Sequence, residues 1–230
     1  MLLVIIVVFM IASWAVSSRL KNKFKKYSQV SLGSGLSGRE IAELMLRDNG
    51  IYDVTVTSVQ GKLTDHYNPM NKTVNLSPDV YSGRSAAAAA VAAHECGHAV
   101  QHAKAYSWLE FRSAMVPVQN VSARVINIVF MAMFFGAFAL PGIINPQLAL
   151  MVIIGCYSIF TLFAFVTLPV EYDASNRALA WIKDRNIVDD REHAMAKDAL
   201  NAAASTYLVA ALGALATLLY YVMIFLGSRD

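Results

Sequence analysis

The chain has 230 residues, of which 57% are hydrophobic and 15% charged, and its net charge is +3 at pH 7; an ordinary soluble domain is about 25% charged. No Asp, Glu, Lys or Arg falls within 1–18, 125–170 or 199–228. Uncharged runs of that length exclude a cytosolic enzyme and a disordered chain. The small basic excess sits at the ends of apolar runs rather than along a groove, which excludes a nucleic-acid binder.

Residues 1–18 form the first apolar span, close to the roughly 20 residues a membrane helix needs. A secretory signal carries its positive charge ahead of the apolar stretch. Here Arg19, Lys21, Lys23, Lys25 and Lys26 follow it, so the segment reads as an uncleaved anchor with its N-terminus outside. Residues 27–83 have the make-up of a small soluble module. Ser37 with Glu40 three residues on, then Ile41, Leu44 and Met45 at helical spacing, predict a capped amphipathic helix that stops at Asn49-Gly50. Alternation over 54–59 predicts a strand and Gly61 a turn. Further strands are expected at 63–67 and 72–76, with Asn68-Pro69 between them. An alanine-rich helix over 85–104 comes next, its small residues allowing a neighbouring backbone to approach.

The uncharged run 125–170 is too long for one helix. Pro141-Gly142 and Asn145-Pro146 predict a turn that divides it into spans near 125–140 and 148–168. Residues 171–183 read as a helix, and a fourth span covers about 207–226. The expected fold class is an α-helical membrane protein with a small α+β element. Its parts are an anchor (1–18), a segment with a short sheet and the alanine-rich helix (19–124), a helical hairpin (125–168), further polar helices (169–206) and a last span (207–230). Apart from Arg229, every Lys and Arg lies within 19–124 or 177–197, so the positive-inside rule assigns both segments to the cytoplasm. Two cysteines in separate segments make no disulfide framework.

His94-Glu95-Cys96-Gly97-His98 lies inside the alanine-rich helix. Residues four apart share a helix face, so both imidazoles can reach one ion. Zinc takes two imidazoles and a carboxylate and keeps a fourth position open for water, whose proton Glu95 is placed to accept. A third ligand is required. His102 lies about 6 Å along the axis beyond His98 and reads as a supporting or surface histidine, while His66 and His193 have no spacing argument. Glu171 is the first charge after the third span and has Ser175 one turn on, which makes it the expected ligand. Gly97 gives the helix a close neighbour or opens the metal to solvent, and Cys96 is a small packing residue. Gly213 among alanines fits close packing of the last span.

Four stretches carry a resemblance. They are Leu63-Thr-Asp-His-Tyr-Asn-Pro69, Asn75-Leu-Ser-Pro-Asp-Val80, Val91-Ala-Ala-His-Glu-Cys-Gly-His-Ala-Val-Gln-His102 and Pro169-Val-Glu-Tyr-Asp-Ala-Ser-Asn-Arg-Ala178. With 202–208, they resemble the YugP-like neutral zinc metallopeptidases of bacterial membranes and, more distantly, the HtpX-type and prenyl-protein gluzincins. The resemblance spans nearly the whole chain. It implies Zn2+ on His94, His98 and Glu171, with Glu95 catalytic and Asp65–Tyr67 edging the cleft. The bacterial family implies the inner membrane, and the apolar runs and charge pattern above make the protein multi-pass with its site on the cytoplasmic side. Two positions depart from the resemblance: Ser175 stands where the distant relatives carry aspartate, and Asn68 where the family has aspartate after His-Tyr. Candidates for an oxyanion donor are His66, Tyr207, Tyr172 and Arg177. The expected function is hydrolysis of peptide bonds in membrane-associated or misfolded proteins. The expected partners are protein or peptide substrates, the lipid bilayer, and a membrane partner or a second copy, with no nucleic acid. The alternative is a non-catalytic zinc-binding membrane adaptor or regulator. A transporter is disfavoured by spans without ionisable residues.

Overall fold

The computed structural model describes residues 1–139 and 145–227. Its elements, in chain order, are α1 (Leu2–Tyr27), α2 (Gly38–Asp48), β1 (Thr55–Ser58), β2 (His66–Asn68), β3 (Thr73–Leu76), α3 (Pro78–Tyr81), α4 (Ala86–Ala103), α5 (Ser107–Ala139), α6 (Pro146–Asp184) and α7 (Asp190–Gly227). The protein is a mostly helical membrane protein with a small three-stranded sheet, as expected. Helices α1, α5, α6 and α7 are each long and apolar enough to cross a bilayer.

These helices are longer than the apolar runs that betrayed them. The second begins at Ser107 rather than near 125, and Pro117 sits within it. Residues 171–183 are no separate helix but the end of α6, which continues through Pro169. α7 starts well before 207, where Glu192 N–H donates to Asp189 and Asp189 N–H donates to Glu192, a reciprocal cap. A hydropathy pattern marks where a helix meets lipid, not where its hydrogen-bond ladder ends. The expected turn is half visible. Asn145 Oδ1 accepts from the N–H groups of Gln147 and Leu148, with Pro146 opening α6; Pro141-Gly142 lies outside the described residues.

The chain divides into two units. One comprises Met1–Trp14, Phe111–Leu168 and Tyr207–Asp230, the other Ala15–Glu110 and Pro169–Thr206. Within the first, Ile126, Ile153, Cys156 and Tyr221 form a buried cluster. A Cβ on Gly213 would meet the Phe9 ring at 3.1 Å, so this glycine does serve close packing within the chain.

The second unit holds the sheet and α4. The capping box on α2 is complete: Ser37 Oγ accepts from Glu40 N–H and Glu40 accepts from Ser37 N–H. Gly50 takes the left-handed conformation (φ +70°) just past the helix end. Ile41, Met45 and Leu46 of α2 bury against Val74, Leu76, Ala89, Ala93 and Cys96. The sheet order is β1-β3-β2, with β1 parallel and β2 antiparallel to β3. The buried Val74-Asn75-Leu76 stretch takes the centre, and β2 lies at an edge. The second strand starts at His66 rather than at 63. Gly61 (φ +113°) and Leu63 (φ +56°) form a turn there, and Asp65 caps Ser77 through its N–H and hydroxyl instead of joining a ladder. Lys72 (φ +51°) likewise delays the third strand to Thr73.

Candidate metal site

α4 begins at Ser85, whose hydroxyl accepts from Ala88 N–H. The helix is unbroken through the motif, so His94 and His98 stand one turn apart with ring centroids 4.8 Å apart, edge to face. α6 approaches at Gly97, where an added Cβ would lie 2.6 Å from Ala174 O. Only glycine admits a backbone that close, and this contact brings Glu171 against the two imidazoles. Glu171 Oε2 lies 3.4 Å from His94 Nε2 and 3.7 Å from His98 Nε2. One ligand atom from each residue falls within 4.8 Å of the others.

These separations test whether zinc fits. Ligands about 2.0–2.2 Å from a tetrahedral ion stand about 3.3–3.6 Å apart, close to both distances. Glu171 is 4% exposed, and its Oε2 has no hydrogen-bond partner, an expensive arrangement unless something else satisfies it. The donor set and the orphaned oxygen both fit a metal.

The far side of each imidazole is also held. His94 Nδ1 contacts Ser175 Oγ at 3.1 Å. His98 Nδ1 contacts Gln101 Oε1 at 3.0 Å. Gln101 is fully buried, and its Nε2 donates to Val170 O and Asp173 Oδ2, both at 2.8 Å. Two acceptors on the Nε2 side fix the amide orientation, so Oε1 must face His98 and Nδ1 must carry a proton. His98 then presents Nε2 to Glu171. Asp173 also accepts from Arg177 Nε at 2.6 Å, and the Arg177 guanidinium lies over the Tyr106 ring.

Glu95 is buried at 8% exposure, and its Oε2 accepts from Tyr67 N–H at 3.0 Å. Burial pushes its carboxyl above the usual carboxylate range, opposed by the two imidazoles. Burial opposes the His98 imidazolium, yet the Glu171 carboxylate outweighs it and raises the His98 pKa. The Cys96 thiol is pushed up by burial and rests on Ala42 O, a packing role.

The structure thus brings together His94, Glu95, His98, Glu171 and Ser175, with Tyr67 beside them. The remaining candidates are placed differently. Arg177 is engaged by Asp173, His66 is exposed with Nδ1 on Thr64 O, and Tyr172 is 43% exposed. Tyr207 belongs to the other unit, on α7. His102 is exposed and bonds Tyr67, while His193 bonds Leu179 O. Asn68 accepts from Met70 N–H in the turn after β2. Sequence reasoning missed Gln101, Asp173 and the Tyr67 N–H. Gln101 left a signal, three residues after a histidine on its own helix face; the other two depend on tertiary contacts.

A multi-pass membrane protein with two histidines and a glutamate gathered on adjoining helices belongs among metal-binding membrane proteins. The family described as "Putative neutral zinc metallopeptidase" matches residues 2–226, and the chain belongs to it. The chain is 42% identical over 218 residues to "Putative membrane protease YugP" of Bacillus subtilis (strain 168), an alignment covering 94% of this chain and 92% of that protein. No solved structure matches the chain.

Proposed function

We propose that the protein is a zinc metalloendopeptidase of the gluzincin type, acting at the cytoplasmic face of a bacterial inner membrane on membrane-associated or misfolded proteins. The observation that carries this reading is the convergence of His94 Nε2, His98 Nε2 and the otherwise unpartnered Glu171 Oε2, with the buried Glu95 alongside.

In this reading His94, His98 and Glu171 hold zinc. When bound, zinc polarises a peptide carbonyl and acidifies a water. Ser175 and Gln101 orient the imidazoles from behind. Tyr67 N–H holds Glu95 Oε2, leaving Oε1 to take the proton of the attacking water and return it to the departing amine. A raised carboxyl pKa suits both halves of that shuttle. A non-catalytic adaptor has no need of a carboxylate fixed in this way.

The test uses the full chain purified in detergent. Glu95→Gln should retain its zinc and lose peptide cleavage by about 10²–10⁴-fold; wild-type cleavage by this variant overturns the assignment. Sidedness is read separately by labelling Met70→Cys, at a site 93% exposed, with a membrane-impermeant maleimide in vesicles of known orientation. Labelling only from the cytoplasmic side is expected, and labelling only from the other side overturns the topology.

A further inference from the structure

We propose that Tyr67 and His102 form a positioning pair that fixes the β2 edge, and through the Tyr67 N–H the Glu95 carboxylate, over helix α4. The inference rests on Glu95 acting as the base. Tyr67 touches α4 at two points. Its N–H donates to Glu95 Oε2 at 3.0 Å, and its hydroxyl meets His102 Nδ1 at 2.8 Å. The two rings lie 5.8 Å apart. Glu95 and His102 are seven residues apart, which returns the helix to within about 20° of the same face and roughly 10 Å further along. One tyrosine therefore spans two turns of the catalytic helix, backbone at one end and phenol at the other.

The geometry gives the pair leverage. β2 has three residues and lies at the sheet edge, paired to β3 on one side only. In that antiparallel ladder His66 and Asn68 flank Tyr67 in register with Asn75 and Thr73, and the Tyr67 N–H points away to Glu95. The strand's seat on α4 at this point is Tyr67 itself. Beside the phenol, Ile51, Val54, Ala99 and Ala103 line a pocket together with the Lys72–Asp53 ion pair. His102 is exposed and its imidazole meets none of the proposed zinc ligands, so its effect is transmitted through Tyr67. Misplacement of a reacting group by about 1 Å can cost 100-fold in rate, so a hydroxyl–imidazole bond that sets strand height acts on kcat.

The variants are chosen to separate positioning from folding. Tyr67→Phe removes one oxygen and keeps the packing. His102→Ala removes the hydroxyl's partner, and His102→Asn restores a hydrogen-bonding atom at the same bond distance from the backbone as Nδ1. In the purified full chain, Tyr67→Phe and His102→Ala should each lower kcat about tenfold, with KM within about twofold and zinc content unchanged. His102→Asn should recover most of the loss. Wild-type kcat in Tyr67→Phe and His102→Ala, while Glu95→Gln is inactive in the same assay, overturns the positioning pair; so does a His102→Asn variant as slow as His102→Ala. Activity in Glu95→Gln instead overturns the base assignment on which the pair depends.

Discussion

Gly97→Ala is the substitution that most directly asks whether α4–α6 contact builds the metal site. The new Cβ would stand 2.6 Å from Ala174 O and 3.1 Å from its C and Cα atoms. Backbone cannot swing aside as a side chain can, and ordinary carbon contacts begin near about 3.5 Å, so the helices must part by most of an ångström. Overpacking of this kind costs about 1–3 kcal/mol, partly offset by the ~1 kcal/mol by which Ala exceeds Gly in a helix interior. The net fold penalty is therefore small, about 0–2 kcal/mol, and the chain still folds. The site is less tolerant. Glu171 sits one turn before the displaced segment, and its 3.4 and 3.7 Å separations from the imidazoles, already near the upper end of the roughly 3.3–3.6 Å of a tetrahedral zinc, would widen further. Zinc affinity should fall at least about tenfold, the scale of losses from misoriented ligands. Competition with a chromophoric chelator in detergent measures this directly. Gly155→Ala is the control, because a Cβ there meets nothing within 4 Å. Wild-type zinc affinity in Gly97→Ala would refute the claim that this close approach positions Glu171.

Gln101→Leu keeps the side-chain volume but removes the acceptor for His98 Nδ1 and the donor to Asp173. Zinc affinity should drop about 10–100-fold, with a thermal melt showing about 1–3 kcal/mol lost; equal affinity would mean His98 needs no fixed orientation. The pH dependence should reverse sign with metal. Without metal, the raised pKa of His98 gives stability present below the unfolded value of about 6.5 and lost as pH rises through the higher folded value. With zinc, affinity requires the neutral imidazole and so stability grows over the same interval. Melts with excess zinc and with chelator, from about pH 5.5 to 8.5, check both slopes, and parallel slopes would contradict a shared proton and metal site.

What was legible in the sequence, and what was not, follows from the range of the forces involved. The capping box at Ser37 and Glu40, the stop at Gly50, and the helix carrying His94 and His98 all rest on contacts within four residues, so spacing reveals them. Charge-free runs locate apolar spans for the same reason. The start of α5 at Ser107 and the passage of α6 through Pro169 are invisible to hydropathy, since a helix needs only its own backbone bonds and not a uniform solvent. Leu63 in the left-handed region broke an alternation that otherwise reads as strand. Glu171 was accessible because it is the first charge after a long apolar run. The orienting role of Gln101 was not, because it depends on Val170 O and Asp173, groups that only the packing of α6 on α4 supplies.

That same glutamine bears on what the His94–His98–Glu171 cluster can be. With Nδ1 of His98 committed as a donor, Nε2 faces Glu171 either as a lone pair or as a charged N–H. If both imidazoles are neutral and turned alike, two lone pairs and a carboxylate converge in a nearly dry pocket, and the buried anion carries a desolvation cost of several kcal/mol with nothing to offset it. One proton, on His98, satisfies the carboxylate in the metal-free protein, as its raised pKa reflects, whereas protons on both imidazoles set two like charges beside each other, with ring centroids 4.8 Å apart, which disfavours the doubly charged state. A single divalent cation held by His94, His98 and Glu171 would replace that proton and satisfy all three groups together. Magnesium and calcium prefer oxygen-rich shells, whereas two imidazoles and one carboxylate suit zinc. The donor chemistry therefore selects the same ion as the family to which the chain belongs.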